Sequence, residues 1–284
     1  MTDGAQRPAT WAKCYEQPPD RVDAAGTQSW ITRSGNMVVV VTRAKAGTVI
    51  ERIANSDESM LLLPGGVGAQ IEAGGESIEA SGDSLTILPP GSSRVTLRNA
   101  GYVVRICSNK AKDLVAAASN SRAYADGAPE LAPIVPWPDP VGGFRLRHYP
   151  LGEIASPDPS PLKMRLFRST NLMINVFLPW PQPRDETKLS PHAHDDFEQI
   201  SLALEGTFAH HLRYPWTPDK TAWRADEHVV FGSPSLLVIP ARVIHTSHNI
   251  GNDTARLVDI FAPPRLDFSR RDGFVLNAHD YPMP

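Results

Sequence analysis

The sequence is poor in the features that staple, anchor or charge a chain. Its 284 residues include only two cysteines, Cys14 and Cys107. Two are too few for a disulfide framework or, alone, for a thiolate metal site. No apolar run reaches the roughly 18 residues of a membrane-spanning helix. Neither sign of charge dominates: Lys plus Arg is 28 and Asp plus Glu is 31, a net charge of −3. That balance argues against a nucleic-acid or anionic-membrane partner, which would call for a basic surplus. The opening residues, Met1–Pro8, carry no basic stretch leading into an apolar core. No secretory leader is expected there, and a cytoplasmic, reducing setting follows as the expectation. Histidine is absent from the first half. None precedes His148, yet eight of the nine lie at or after His192.

What is present suits a packed β protein. Hydrophobic residues are 41% and charged residues 21%, enough for a core and too ordered a balance for global disorder. Short runs rich in Val, Ile, Leu, Thr and Phe recur between Gly, Pro, Asn and Asp clusters, the pattern of strands. They are Met37–Thr42, Ser59–Leu63, Ser84–Leu88, Tyr102–Ile106, Leu172–Phe177, Gln199–Leu204, Ser235–Ile239 and Arg256–Phe261. The best helix candidate is Lys110–Ala118, after a Ser108 or Asn109 cap. Nine of the 27 prolines fall between Pro129 and Pro161. Proline in such numbers favours an extended connector, although Gly143–Leu151 still reads as a strand.

The two halves repeat one another weakly. The second carries Glu198, Gly206, Gly232, Pro240, His245 and Asn249; the first carries Glu58, Gly65, Gly82, Pro89, Arg94 and Asn99 in the same order. The extra length of the second half is a loop, Tyr214–Glu227, with Trp216 and Trp223. The segments expected are 1–125 as an N-terminal barrel, 126–162 as a proline-rich connector, and 163–284 as a C-terminal barrel.

The informative run is Pro191-His192-Ala193-His194-Asp195-Asp196-Phe197-Glu198. In a strand, residues i and i+2 share a face, so His192 and His194 can offer imidazoles to one point. Glu198 opens the returning strand, and His245 follows the turn-like Pro240-Ala241-Arg242. Three imidazoles and a carboxylate suit Fe, Mn, Ni, Cu or Zn rather than Mg or Ca.

This constellation resembles the cupin superfamily. Its first motif appears as His192, His194, Glu198 and Gly206, and its second as Gly232, Pro240, His245 and Asn249. Arg242 replaces the glycine of the second motif. The interval from Glu198 to Gly206 is one residue longer than the motif's, offset by a short interval from His194. The resemblance implies an all-β fold of two cupin barrels (double-stranded β-helix, or jelly roll) in one chain. It implies one divalent transition metal, Fe, Mn, Ni or Zn, held by His192, His194, Glu198 and His245. The first barrel, with Arg52, Ala54, Glu58 and Arg94 at the matching positions, is expected to hold no metal.

The tail Asp259-Ile260-Phe261-Ala262-Pro263-Pro264-Arg265-Leu266-Asp267-Phe268 is similar to the D-x-F-x-P-x-R-x-D-[FY] end of some small cupins. Among these are the metal-dependent enzymes that open unsaturated uronates in pectin breakdown. The resemblance puts Asp259 and Arg265 near the metal. Glu198, Asp259 and Arg265 are therefore the catalytic candidates, and Arg242, His210 and Trp223 the substrate-binding ones. His210 is the expected inward member of the His210–His211 pair, either beside the site or as a satisfied core residue. An ion pair with Arg265 is the purely structural alternative for Asp259.

The expected function is enolisation, isomerisation or lyase chemistry on a small anionic sugar acid or keto acid. The alternatives are an Fe(II) dioxygenase of a small aromatic or diketone substrate, and a non-catalytic ligand-binding cupin. The partner expected is a small molecule, with no nucleic acid and no membrane. A homodimer stays open, because two barrels in one chain can imitate the usual cupin dimer or dimerise again.

Overall fold

The computed structural model describes residues 6–284; the first five of the Met1–Pro8 stretch read above lie outside the described residues. The strands of the first half are β1 (Thr10–Lys13), β2 (Arg21–Val22), β3 (Gln28–Arg33), β4 (Met37–Ala44), β5 (Val49–Asn55), β6 (Ser59–Leu63), β7 (Ala69–Ala73), β8 (Glu76–Ala80), β9 (Ser84–Leu88), β10 (Gly91–Leu97) and β11 (Gly101–Ser108). Helix α1 (Lys112–Ala117) follows, then β12 (Arg147–Pro150) within the proline-rich connector. The second half comprises β13 (Leu166–Arg168), β14 (Met173–Val176), β15 (Gln199–Glu205), β16 (Phe208–Arg213), β17 (Glu227–Phe231), β18 (Ser235–Ile239), β19 (Ile244–Asn249) and β20 (Arg256–Phe261), with α2 (Leu266–Ser269) after it. The eight apolar runs all lie on or overlap strands. The helix starts later than expected and has Ala111 at its N-cap, without a capping side chain.

Each half builds a large and a small sheet. The first half pairs β12-β9-β6-β11-β4-β3-β2 against β5-β10-β7-β8; the second pairs β1-β18-β15-β20-β14-β13 against β17-β16-β19. All the strand pairings are antiparallel, the arrangement of two double-stranded β-helix barrels.

The large sheets are buried on both faces, which explains their long hydrophobic runs. One face of each packs against the other barrel. Met37, Val39, Val41, Val104 and Ile106 of the first share a buried cluster with Ile174, Ile200, Val238, Val258 and Ile260 of the second. The opposite face lines its own barrel. In the first barrel, Leu114 of α1 packs on Ile31, Val38, Val40 and Cys107 at one end of that lining.

The expected boundaries at 125 and 162 are crossed twice. Strand β1, from the first segment, pairs with β18 of the second barrel through Thr10↔Val238 to Lys13↔Ser235. Strand β12, from the connector, pairs with β9 of the first barrel through Arg147↔Ile87 to Pro150↔Ser84. The exchange extends and covers two sheet edges that would otherwise present unpaired backbone groups.

Two buried glutamates complete the joint. Glu58 accepts from Thr170 N at 3.0 Å, Thr170 Oγ1 at 2.9 Å and Tyr281 Oη at 2.9 Å, all from the second half. Glu198 accepts from Gly35 N at 2.7 Å and Tyr124 Oη at 2.9 Å, both from the first half. A Cβ at Gly35 would lie 2.3 Å from the end of the Leu131 side chain, so Leu131 would have to move to admit one. The repeat seen in the sequence therefore places its matching acids in matching roles, each reaching across into the partner barrel.

Candidate metal centre

His192, His194 and His245 converge, with their ligand atoms all within 4.8 Å of one another. Among the described residues this is the one group of three or more metal-ligating side chains that close together. The backbone brings them there. His192 and His245 form an antiparallel bridge, His192 N to His245 O at 3.1 Å and His245 N to His192 O at 2.8 Å. Arg242 N donates to His194 O at 2.6 Å, which ties the third ligand segment to the turn before β19.

The imidazoles are oriented by carbonyls. His192 Nδ1 lies 2.9 Å from Ser190 O, and His245 Nδ1 lies 2.9 Å from Val243 O. A carbonyl only accepts, so each Nδ1 carries the proton and each Nε2 keeps its lone pair. His245 Nε2 is buried and has no partner. A buried acceptor with nothing to accept is costly, and it is what a metal ligand looks like before its ion is counted. Burial pushes the His194 pKa down to about 3 and that of His245 to about 4, so both are neutral at physiological pH. The donor set fits a divalent transition ion.

Glu198 does not join the triad, contrary to its expected roles as ligand and catalyst. Adjacent residues entering a strand point to opposite faces, and Gln199, not Glu198, faces the barrel interior. Measured from Gln199, four residues intervene between it and His194 and six between it and Gly206, which removes both spacing departures of the first motif. Gln199 Oε1 accepts from His194 Nε2 at 3.1 Å, and its Nε2 donates to Ser201 Oγ at 2.9 Å. Ser201 Oγ donates in turn to Asp259 Oδ1 at 2.7 Å. A relay of four side chains thus runs from a triad imidazole to a carboxylate. To ligate through Nε2, His194 must release its bond to Gln199.

A cavity of about 260 Å³ opens beside the triad. Asp259 and Arg265, the two tail residues, both line it together with His192 and His245. They do not pair with each other. Arg265 forks onto Asp267, Nε to Oδ1 at 3.1 Å and Nη2 to Oδ2 at 2.7 Å, with its guanidinium 3.7 Å over the Phe268 ring. Burial pushes the Asp259 pKa up to about 6, against the lowering effects of the Ser201 bond and the Arg265 charge.

Three expected substrate contacts lie off the cavity. Arg242 is exposed and occupies the left-handed region, φ 67°, so the turn keeps the glycine-like conformation while its side chain stays outside. Trp223 stacks on Trp216 at 4.4 Å and 5° on the surface loop, its Nε1 bound to Thr217 O. His210 is the inward member of its pair, but it is buried behind the lining and bonds Ser247 Oγ at 2.7 Å.

Several lining residues had no place in the sequence reading. Arg184 reaches the cavity because Asn249 holds its loop: Arg184 N donates to Asn249 Oδ1 at 3.1 Å, and Asn249 Nδ2 donates to Gln182 O at 2.8 Å. Trp180, Phe177 and Phe268 supply an apolar wall. Gln199 was legible from the motif intervals; Arg184, on an irregular segment, carried no periodic signal.

No protein-family model matches the chain, and no curated protein does. Solved structures do. The oxalate decarboxylase of Lactobacillus farciminis in complex with formate aligns with a TM-score of 0.59 and 15% identity, over 90% of this chain and 86% of that one. The Bacillus subtilis oxalate decarboxylase, which has Mn(II) centres, gives 0.59 and 13%, over 95% and 83%. A cupin 2 conserved barrel domain protein from Leptotrichia buccalis gives 0.50 and 10%, over 85% and 91%. At these identities the likeness is one of fold. Together with the two barrels and the convergent histidine triad, it gives this chain the bicupin fold.

Proposed function

We propose that the chain is a metal-dependent enzyme acting on a small carboxylate or keto acid by enolisation, isomerisation or lyase chemistry. The observation that carries this reading is the shared cavity: His192 and His245 of the triad, Asp259 and Arg265 line one space of about 260 Å³. That is below the usual size of drug-sized ligand sites, and it suits a small substrate. An ion bound by His192, His194 and His245 would supply Lewis acidity toward a substrate oxygen. Three neutral ligands and a neutral amide at Gln199 leave that positive charge uncompensated, which favours an anion.

The chain's own groups account for the rest. Arg265 spends Nε and Nη2 on Asp267, leaving Nη1 for a substrate carboxylate. Arg184 adds a second positive charge on the cavity wall. Asp259 is the proton-moving group, because its pKa of about 6 lies near neutral pH. Trp180, Phe177 and Phe268 exclude water. Mn, Fe, Ni and Zn remain the candidate ions, and the cytoplasm the proposed location.

The experiment is turnover by metal-loaded protein on small keto acids, hydroxy acids and an unsaturated uronate, with and without oxygen. Oxygen-independent product formation supports the proposal. Stoichiometric oxygen uptake would replace it with the dioxygenase reading. Tight binding without turnover would replace it with a ligand-binding role.

A further inference from the structure

We propose a second transition-metal site on the outer face of the small sheet of the second barrel, between His211 and His228. The two are cross-strand partners on β16 and β17, so their side chains share a face. Their Nδ1 atoms lie 2.8 Å apart. This face is opposite to the one bearing His210 and His245, so the site is separate from the triad.

A third imidazole borders the pair. In the register of β16 with β19, Ala209 opposes His248 and His211 opposes Thr246, which makes His248 the diagonal neighbour of His211. The His211 and His248 rings stack at 5.3 Å and 19°. His248 is 5% exposed, and its Nδ1 has no hydrogen-bond partner. Its Nε2 lies 3.4 Å from Glu186 Oε1, on a side chain that is largely exposed and free to swing. Three imidazoles from three adjacent strands and one carboxylate thus form a single patch.

The chemistry suits late first-row ions. Burial and the neighbouring His248 and His228 lower the His211 pKa, so its lone pair is available at neutral pH. Zn–N bonds of 2.0–2.1 Å in a tetrahedron put ligand nitrogens about 3.3 Å apart, so the two rings need to part by about half an ångström. Two imidazoles hold the ion, water fills the remaining positions, the Glu186 carboxylate offsets part of its charge, and His248 offers a third imidazole nitrogen beside it. Zn(II), Cu(II) and Ni(II) are the class expected, with Mg(II) and Ca(II) excluded by the nitrogen donors.

The test is zinc uptake by the full-length chain, by titration and elemental analysis. His192→Ala disables the triad and leaves the outer face intact. It is expected to retain one equivalent of zinc, and the double variant His192→Ala/His228→Gln to retain none. His228 is exposed, so its replacement leaves the fold in place. His228→Gln alone is expected to lower the wild-type stoichiometry from two to one. Cu(II) bound to His192→Ala is expected to show nitrogen hyperfine coupling in its electron paramagnetic resonance spectrum, lost in the double variant. The proposal is overturned if His192→Ala takes up no zinc below millimolar concentration, or if adding His228→Gln leaves its uptake unchanged.

Discussion

The two barrels share a framework and differ inside. On the interior face of the large sheet, the second barrel carries Gln199 opposite Phe261 and Ser201 opposite Asp259. The first carries Ser59 opposite Cys107 and Leu61 opposite Arg105 at the same rungs. Where one barrel has an acid below a histidine triad, the other has an arginine. The mouths differ in the same sense. Arg52 is bound by Asp113 at 2.6 and 3.1 Å, and Arg94 pairs with Glu51 at the surface. A guanidinium repels a metal ion that a neutral imidazole attracts. The feature kept in both is the crossing glutamate. What the repeat preserved is the joint between the barrels, and what it let diverge is the interior.

The largest expected effect is on metal content in the second barrel. His192→Ala and His245→Ala each remove an imidazole of the triad. Elemental analysis after dialysis should show loss of one tightly held equivalent, with catalytic turnover lost alongside it. Arg52→Ala, at the matching position of the first barrel, should leave metal content unchanged.

Asp259→Asn should lower turnover by about 10²–10⁴-fold, the usual contribution of a general acid or base, with metal content unchanged. Steady-state kinetics on the metal-loaded variant reads this directly.

The crossing glutamates should behave alike. Glu58→Ala and Glu198→Ala each strand buried donors in the other barrel. At about 1–3 kcal/mol per buried unsatisfied group, each should destabilise the chain by roughly 2–4 kcal/mol in denaturant unfolding. Unequal losses would show that the two halves of the joint have diverged as the interiors have.

A smaller effect concerns stability and pH. The Asp259 pKa is raised from 3.8 to about 6, so the folded state binds the proton more tightly than the unfolded chain. Stability from this group is therefore fully present below about pH 4 and is lost as pH rises through about 6. Asp259→Asn should stabilise the metal-free protein by about 3 kcal/mol at pH 8, and the gain should vanish near pH 4. Thermal unfolding across that range measures it. The smallest effect is at the turn. Arg242→Gly removes a side chain from left-handed backbone and should stabilise by roughly 0.5–1 kcal/mol, leaving turnover unaltered.

Most of the fold was legible because both faces of each large sheet are buried. That makes strands such as Met37–Ala44 and Ser235–Ile239 read as unbroken apolar runs. The strand exchange was not legible. Thr10–Lys13 is short, and pairing between segments more than 200 residues apart, as in Thr10↔Val238, leaves no local mark; Arg147–Pro150 was legible as a strand within Gly143–Leu151, but not the sheet it joins. At the site, the histidines were legible from their alternation. The motif position expected at Glu198 falls one residue on, at the amide Gln199, because in a strand one residue reverses the face. Asp259 stood out as a charge in an apolar run, whereas Arg184 depends on a loop held by Asn249.

The central claim is that the metal of the second barrel rests on three histidines and that Glu198 belongs to the joint between barrels. The direct measurement is metal content and unfolding free energy of Glu198→Gln beside His245→Ala. The account predicts that Glu198→Gln keeps every equivalent of metal and loses stability, while His245→Ala loses one equivalent. Loss of that same equivalent from a folded Glu198→Gln protein would contradict it.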